Sequence, residues 1–243
     1  MKIIIVRHGD PDYENDCLTE RGKQEAAALA GRLAKMKPDK VYVSPLGRAR
    51  ATAAYTLEAL GTEATVCPWL EEFKGRCQRP DCPEKQSISW DFLPQDWSNE
   101  REYYDPEKFS THGVFKGTNV NEEYNRVISA FDALMESHGY QRTGSYYKVI
   151  RPNTDTILLF CHLGVESVLL SRIMNISPMP IWHNMASLTT SVTTVVSEER
   201  RVGIAQFRII GFSDVSHLLA NDIEPSESAR FCECFNQSDK RHD

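Results

Sequence analysis

The sequence predicts an α/β fold, a three-layer sandwich with a central, mostly parallel sheet and helices on both faces. Three observations carry this reading. Along residues 2–67, short β-branched runs alternate with Ala- and Leu-rich runs, the rhythm of βαβ units. Pro38 and Gly61 stop the helical runs, as helix ends require. Far downstream, Thr156–Cys161 repeats the pattern of an apolar strand leading straight into a helix.

In chain order, Lys2–Val6 is β-branched and flanked by turn formers, so it reads as a buried strand. Leu18–Met36 reads as a helix and Lys40–Val43 as a second strand. Leu46–Leu60 is Ala-rich and ends at Gly61, a helix with a glycine cap; Ala64–Cys67 is a third strand. The rhythm then breaks. Residues 74–119 hold Pro80, Pro83, Pro94 and Pro106 and show no clean period. A structureless loop of that length is unusual within a compact domain, so the stretch is expected to carry local structure as an inserted cap. Residues 1–243 are otherwise read as one domain. Val120–His138 has apolar residues at helical spacing, a helix is expected from Val165 to Met174, and Leu188–Val196 and Gly203–Ile210 read as a strand pair. The run Glu198–Arg201 is expected at the turn between them, and the polar tail after Asn221 is expected to be mobile.

Composition excludes several classes of function. Of 243 residues 41% are hydrophobic and 26% charged, an ordinary globular balance. A chain of this length buries roughly 70% of its unfolded surface and needs no staples. Lys and Arg number 28 against 34 Asp and Glu, a net charge of −6. That excludes a global basic field for nucleic acid or anionic lipid, so an anionic ligand must be held by a local cluster of cations. The longest apolar runs are a handful of residues, such as Ile157–Cys161, where a membrane span needs about 20. The apolar start Met1–Val6 stops at Arg7, too short for a signal-peptide core. Seven scattered cysteines, an odd number, fit reduced thiols. The pairs Cys77/Cys82 and Cys232/Cys234 lack zinc-knuckle spacing. A cytoplasmic protein without a bound metal is expected; oligomeric state is not legible.

Four motifs carry chemistry, and all fall at the expected carboxyl ends of strands, where α/β sheets bind ligands. Arg7-His8-Gly9 follows the first strand. A neutral imidazole is a nucleophile, an adjacent cation favours the neutral form, and a guanidinium offers a planar fork to phosphate. Arg48 lies in the first turn of the helix that follows Ser44-Pro45-Leu46-Gly47, where the dipole favours an anion and a bare cation is unfavourable. His162, in Phe160-Cys161-His162-Leu163-Gly164, is a second strand-end imidazole, and Glu71-Glu72 offers a carboxyl as general acid. Taken singly, each has a plainer reading: a capped or buried His, a solvated Arg, a solvated Glu pair. Together they comprise a cationic cradle with an acid, which phosphate-ester cleavage requires.

In these motifs the chain resembles the histidine phosphatase superfamily, also called phosphoglycerate-mutase-like. The matching pieces are Arg7-His8-Gly9, Leu18-Thr19-Glu20-Arg21-Gly22, Ser44 through Ala53, Trp69-Leu70-Glu71-Glu72 and Cys161-His162-Leu163-Gly164. The resemblance implies that His8 is the nucleophile that becomes phosphohistidine. It implies that Arg7, Arg48 and His162 bind the phosphate together with His8, and that Glu72 rather than Glu71 is the proton donor. It implies no metal and no cofactor; a small phosphorylated metabolite is the expected partner, while the sequence does not name the substrate and leaves sugar phosphate, nucleotide and phosphoprotein open. Departures from the family pattern narrow the choice. Only Asp10–Cys17 separates the first two motifs, short of the longer loop of mutases, which counts against a phosphoglycerate mutase. Leu163 replaces a glycine. The Arg-x-Pro extension of acid phosphatases is absent, because Asp10-Pro11-Asp12 follows instead, so the intracellular branch matches better. A catalytically silent phosphate-binding module is the remaining alternative. Within the insertion, Trp90, Trp97 and His112 are candidate substrate contacts of the cap, against the competing reading that its aromatics form a satellite core.

Overall fold

The computed structural model describes residues 1–228 and 230–242. Its strands and helices are, in order, β1 (Lys2–Arg7), β2 (Pro11–Asp12), β3 (Cys17–Leu18), α1 (Glu20–Leu33), β4 (Lys40–Val43), α2 (Gly47–Leu60) and β5 (Thr65–Val66). The insertion contributes β6 (Arg76–Arg79) and β7 (Cys82–Ile88). There follow α3 (Val120–Ser137), β8 (Tyr140–Thr143), β9 (Tyr146–Val149), β10 (Thr156–Cys161), α4 (Leu163–Met174), α5 (Met179–Asn184), β11 (Val192–Arg201), β12 (Ile204–Asp214) and α6 (Ser216–Leu219).

Eight strands form one sheet in the order β5-β4-β10-β1-β11-β12-β9-β8. The expected α/β sandwich is present, and the sheet is mixed. From β5 to β1 every pairing is parallel, and from β1 to β8 every pairing is antiparallel. The reason is local. Short turns return a chain antiparallel, and Gly144 and Gly203, both at positive φ, turn β8 into β9 and β11 into β12. The charged run Glu198–Arg201 lies inside β11, and the turn itself is Val202-Gly203. The β8–β9 hairpin was not foreseen.

Both faces of β1 are covered, which is why its sequence is apolar without alternation. Ile4 and Val6 pack with Leu29 and Leu33 of α1 and Ala53 of α2. Ile3 and Ile5 pack with Val127 and Phe131 of α3 and Val165 and Leu169 of α4. All four β1 residues are fully buried, each worth about 1.5–3 kcal/mol relative to exposure.

The insertion has the local structure expected of it, a hairpin and four short 3₁₀ turns. Asn119 ties its two ends together, accepting from the Arg76 amide at 2.9 Å and donating to the Lys74 carbonyl at 3.1 Å. Trp97, Tyr103, Phe109 and Phe115 are buried in the same core as α3 and α4. The tail lies against the body: Ser226 donates to Asp10, and Arg241 pairs with Asp91 at 3.0 Å.

The start of α1 is fitted closely to the loop after β1. The Thr19 hydroxyl caps the helix, accepting from the Gly22 amide at 3.0 Å, and donates to Asp10 Oδ2 at 2.7 Å. A Cβ on Gly22 would stand 2.2 Å from the Asp10 carbonyl oxygen, whereas one on Gly31 of the same helix meets nothing within 4 Å. Gly22→Ala is therefore expected to lower the midpoint of a guanidinium melt, by on the order of 2 kcal/mol for enforced overpacking. Gly31→Ala is expected to stabilise by about 0.5–1 kcal/mol through helix propensity alone. Shifts of the same sign in both variants would contradict this packing.

Candidate active site

The parallel half of the sheet brings the four motifs to one edge. Arg7 pairs with Cys161 and Phe160 with Val43 in register, so the residues that follow emerge at one level. Backbone bonds extend that level past the strand ends. The His8 amide donates to the Cys161 carbonyl at 3.1 Å and the Ser44 amide to the Phe160 carbonyl at 2.9 Å.

His8 is buried, with its Nδ1 2.7 Å from the Gly9 carbonyl oxygen. A carbonyl only accepts, so Nδ1 carries the proton and Nε2 the lone pair. That nitrogen faces the Arg48 Nε–H at 3.3 Å. Burial pushes the imidazole well below its usual pKa, and the charges of Arg7 and Arg48 push it further, against the opposing Gly9 bond. His8 is thus held neutral with a defined tautomer.

The His162 ring is 5.0 Å from that of His8, and its Nε2 lies 2.8 Å from Ser44 Oγ. Burial, then His8 and the two arginines, lower its pKa well below the ordinary value. Arg7 Nη1 donates to the Ser187 carbonyl at 2.7 Å. Arg48, second residue of α2, is held by Asp16, a partner that sequence reasoning missed. Asp16 Oδ1 is 2.6 Å from Arg48 Nη1 and Oδ2 accepts from the Gly47 amide at 2.6 Å. Burial raises Asp16; the Gly47 amide and Arg48 outweigh it and hold the carboxyl below the usual range. The cation at this helix start therefore has a resident counter-charge. Asp16 sits at φ +47°, which Asp tolerates better than most residues; an Asp between two turn-forming motifs was the only signal for it.

Of the two glutamates, Glu72 faces the cavity. Its Oε1 accepts from the Phe73 and Val165 amides at 2.8 and 3.1 Å. Burial raises its pKa, against those amides and Arg7. Glu71 is turned to Lys74 at 2.6 Å and Arg126 at 3.6 Å. Leu163 lines the cavity beside Gly164, where a Cβ would come within 2.6 Å of Glu72 Oε1.

Above these groups opens a cavity of about 1140 Å³. Arg7, Arg48, Glu72 and Leu163 form its inner end, and Tyr13 stands at the side with Arg48 stacked over its ring at 5.3 Å. The insertion supplies Arg76, Arg79, Trp90 and Phe92, and the tail supplies Arg230, Phe231 and Arg241. Of the three candidate cap contacts only Trp90 reaches the cavity. Trp97 is buried with its ring 4.8 Å from His183, and His112 faces Glu100 and Tyr103 instead. Trp97 belongs to the core shared with α3 and α4, where large rings hold the insertion down, and His112 is partly exposed. Tyr13, Trp182 and the tail residues were missed: nothing in their local spacing signals that the chain returns to this edge.

Residues 3–209 match the family model of the histidine phosphatase superfamily, branch 1. The chain belongs to this superfamily. Like other histidine phosphatases it has relatives of similar length. It is 24% identical over 234 residues to a probable phosphatase of Schizosaccharomyces pombe, covering 90% of this chain and 95% of that one. It is 26% identical over 198 residues to the adenosylcobalamin/alpha-ribazole phosphatase of Salmonella typhimurium, covering 75% and 84%. The solved phosphoserine phosphatase of Entamoeba histolytica superposes with a TM-score of 0.55 at 18% identity, covering 89% of this chain and 98% of that one, which shows the shared fold. No helix among the described residues is long and apolar enough to cross a membrane.

Arg48→Lys keeps the charge and removes the fork that reaches both His8 and Asp16. Losing one charge-assisted hydrogen bond costs about 1.5–3 kcal/mol. Inorganic phosphate is therefore expected to bind roughly 10- to 100-fold more weakly in this variant by calorimetry; unchanged affinity would remove Arg48 from the oxyanion pocket.

Proposed function

We propose that this histidine phosphatase hydrolyses a small phosphorylated metabolite through a phosphohistidine on His8, without a metal. One observation carries the proposal. A buried, neutral imidazole offers its lone-paired Nε2 beside Arg48, and Arg48 lines a cavity together with Glu72, a carboxyl of raised pKa. In the first step His8 Nε2 forms a bond to phosphorus and the ester oxygen leaves, taking the Glu72 proton. In the second, water attacks the phosphohistidine, Glu72 accepts its proton, and inorganic phosphate departs. Arg7, Arg48 and His162 supply the donors that stabilise the phosphoryl oxygens, electrostatic preorganisation by buried groups held on the sheet edge. The short Asp10–Cys17 connection and a cavity open to large leaving groups favour hydrolysis over a mutase reaction. The seven cysteines are all free, which supports a reducing, cytoplasmic setting.

Hydrolysis of p-nitrophenyl phosphate is expected to persist in EDTA and to be lost in His8→Ala; equal turnover in both proteins would overturn the assignment. Glu72→Gln is expected to reduce hydrolysis of an alkyl phosphate by about 10²- to 10⁴-fold, the usual worth of a general acid. It should reduce that of p-nitrophenyl phosphate far less, since that leaving group departs without a proton. Because Glu72 must enter protonated and its pKa is raised, the alkyl-phosphate rate should fall as pH rises through that value, a limb absent from Glu72→Gln. Trp90→Ala is expected to change preference across a panel of phosphate esters. Trp97→Ala should instead lower the melting temperature, by about 3–5 kcal/mol of lost packing, with preference unchanged.

A further inference from the structure

A group that the proposed reaction does not use lies directly behind the phosphate pocket. Glu166, in the first turn of α4, is 1% exposed, and among the described residues neither of its carboxyl oxygens has a hydrogen-bond partner of good geometry. The Ser187 hydroxyl, also without a partner, and Thr193 of β11 stand beside it. Its ionisable neighbours are Arg7 from β1, Glu72 from the loop after β5 and Cys161 from β10. Arg7 is itself anomalous: it is 3% exposed, its Nε has no partner, and its one hydrogen bond is to the neutral Ser187 carbonyl. A buried guanidinium without an ion-pair partner and a buried carboxyl with only two neutral hydroxyls beside it are each costly alone. Side by side they balance one another at a distance.

We propose that Glu166 is a positioning residue for Arg7 that takes up a proton when the pocket fills. With the pocket empty it is a carboxylate and supplies the negative charge that Arg7 lacks. When a phosphoryl dianion settles on Arg7, that charge is supplied by the ligand. The Glu166 carboxylate, now facing two further negative charges in a dry interior, then binds a proton from solvent. Burial, the largest effect, has already brought its pKa up to about 7, against the Thr193 and Ser187 hydroxyls and then Arg7, so little more is needed to complete the change. The proton never joins the reacting atoms. It sets the pH range over which the pocket accepts a dianion.

The direction follows from linkage. Below about pH 7 Glu166 is protonated with or without ligand, and affinity is at its maximum. Above that, each binding event must draw in a proton, so affinity falls by up to about tenfold per pH unit. Gln at this position imitates the protonated acid permanently. This inference rests on the oxyanion pocket proposed above, and its test is chosen to separate the two.

Sulfate stays a dianion throughout the neutral and alkaline range, and the cavity tryptophans Trp90 and Trp182 report its binding by fluorescence. The full-length wild type is expected to bind sulfate progressively more weakly as pH rises above about 7. Glu166→Gln is expected to show a flat profile and to bind about tenfold more tightly than wild type one pH unit above that point. Glu166→Met serves if the Gln variant fails to fold, with the same flat profile expected. Glu72→Gln should retain the wild-type slope. In steady state with p-nitrophenyl phosphate, whose leaving group needs no proton from Glu72, the wild-type slope should appear in KM and not in kcat. A pH-independent wild type, equal slopes in wild type and the Glu166 variants, or a slope lost in Glu72→Gln would each overturn the proposal. Sulfate binding with the expected slopes but no turnover of any phosphoester would sink the hydrolase reading and leave this one standing. Failure of wild type to bind either sulfate or phosphate would sink both.

Discussion

The parallel register of β1 against β10 is the constraint on which the site depends. Pairing Arg7 with Cys161 makes His8 and His162 the next residues out of the sheet on adjacent strands, which places their rings 5.0 Å apart. No loop of the molecule could hold two imidazoles at that spacing with comparable rigidity, because the strands beneath them are buried on both faces and bonded along their whole length. The same register carries Ser44 to within 2.8 Å of His162 from the third strand. A one-residue slip would turn every side chain to the opposite face and carry His8 away from His162.

Gathering cations at that edge creates an electrostatic problem, and the fold answers it with carboxylates at graded distances. Asp16 is in direct contact with Arg48, so it stays ionised and fixes the guanidinium. Glu72 is buried at the cavity wall and accepts backbone amides, so its pKa rises while its position stays fixed. Glu166 is buried too, with only the Thr193 and Ser187 hydroxyls beside it. In the proposed reaction the carboxyl group thus serves as an anchor, a proton donor and a reserve of charge, according to the donors each one finds. The histidines follow the opposite logic. Their cationic neighbours and their burial act in one direction, and both are held neutral.

How much of this could be read from the sequence depended on whether a signal was local. β1, β4, β10 and their following helices were legible because hydrophobic runs and helix stops are properties of contiguous residues. His8 and His162 were legible because each sits immediately after such a strand, and Arg48 because it opens the helix that follows one. Glu72 could be distinguished from Glu71 only by resemblance, and in the structure the difference is orientation: one faces the cavity and its neighbour faces Lys74 and Arg126. Asp16 was invisible as a partner, since its contact with Arg48 spans 32 positions. The antiparallel half of the sheet was under-read because its decisive features are single glycines in short turns. In the insertion, aromatic content signalled a packed segment but could not tell Trp90, which reaches the cavity, from Trp97, which anchors the segment to His183.

The division between floor and walls has a functional consequence. The floor is built on regular strands with both faces buried, so its geometry tolerates little change, and it holds every group that touches the phosphoryl oxygens in the proposed reaction. The walls come from the insertion and from a tail that returns across the edge, tied by Arg241 to Asp91 and by Ser226 to Asp10. Neither segment contributes a strand to the central sheet. Substitutions there can alter the shape and charge of the cavity without disturbing the histidines, and relatives with 24–26% identity to this chain can share the floor while differing in the walls. In the proposed reaction, selectivity for the leaving group is therefore expected to follow Trp90, Phe92 and the arginines of the hairpin and tail, and the reaction type the sheet edge. The two meet at the short stretch from Glu72 through Lys74, where the proposed acid is covalently joined to the start of the insertion.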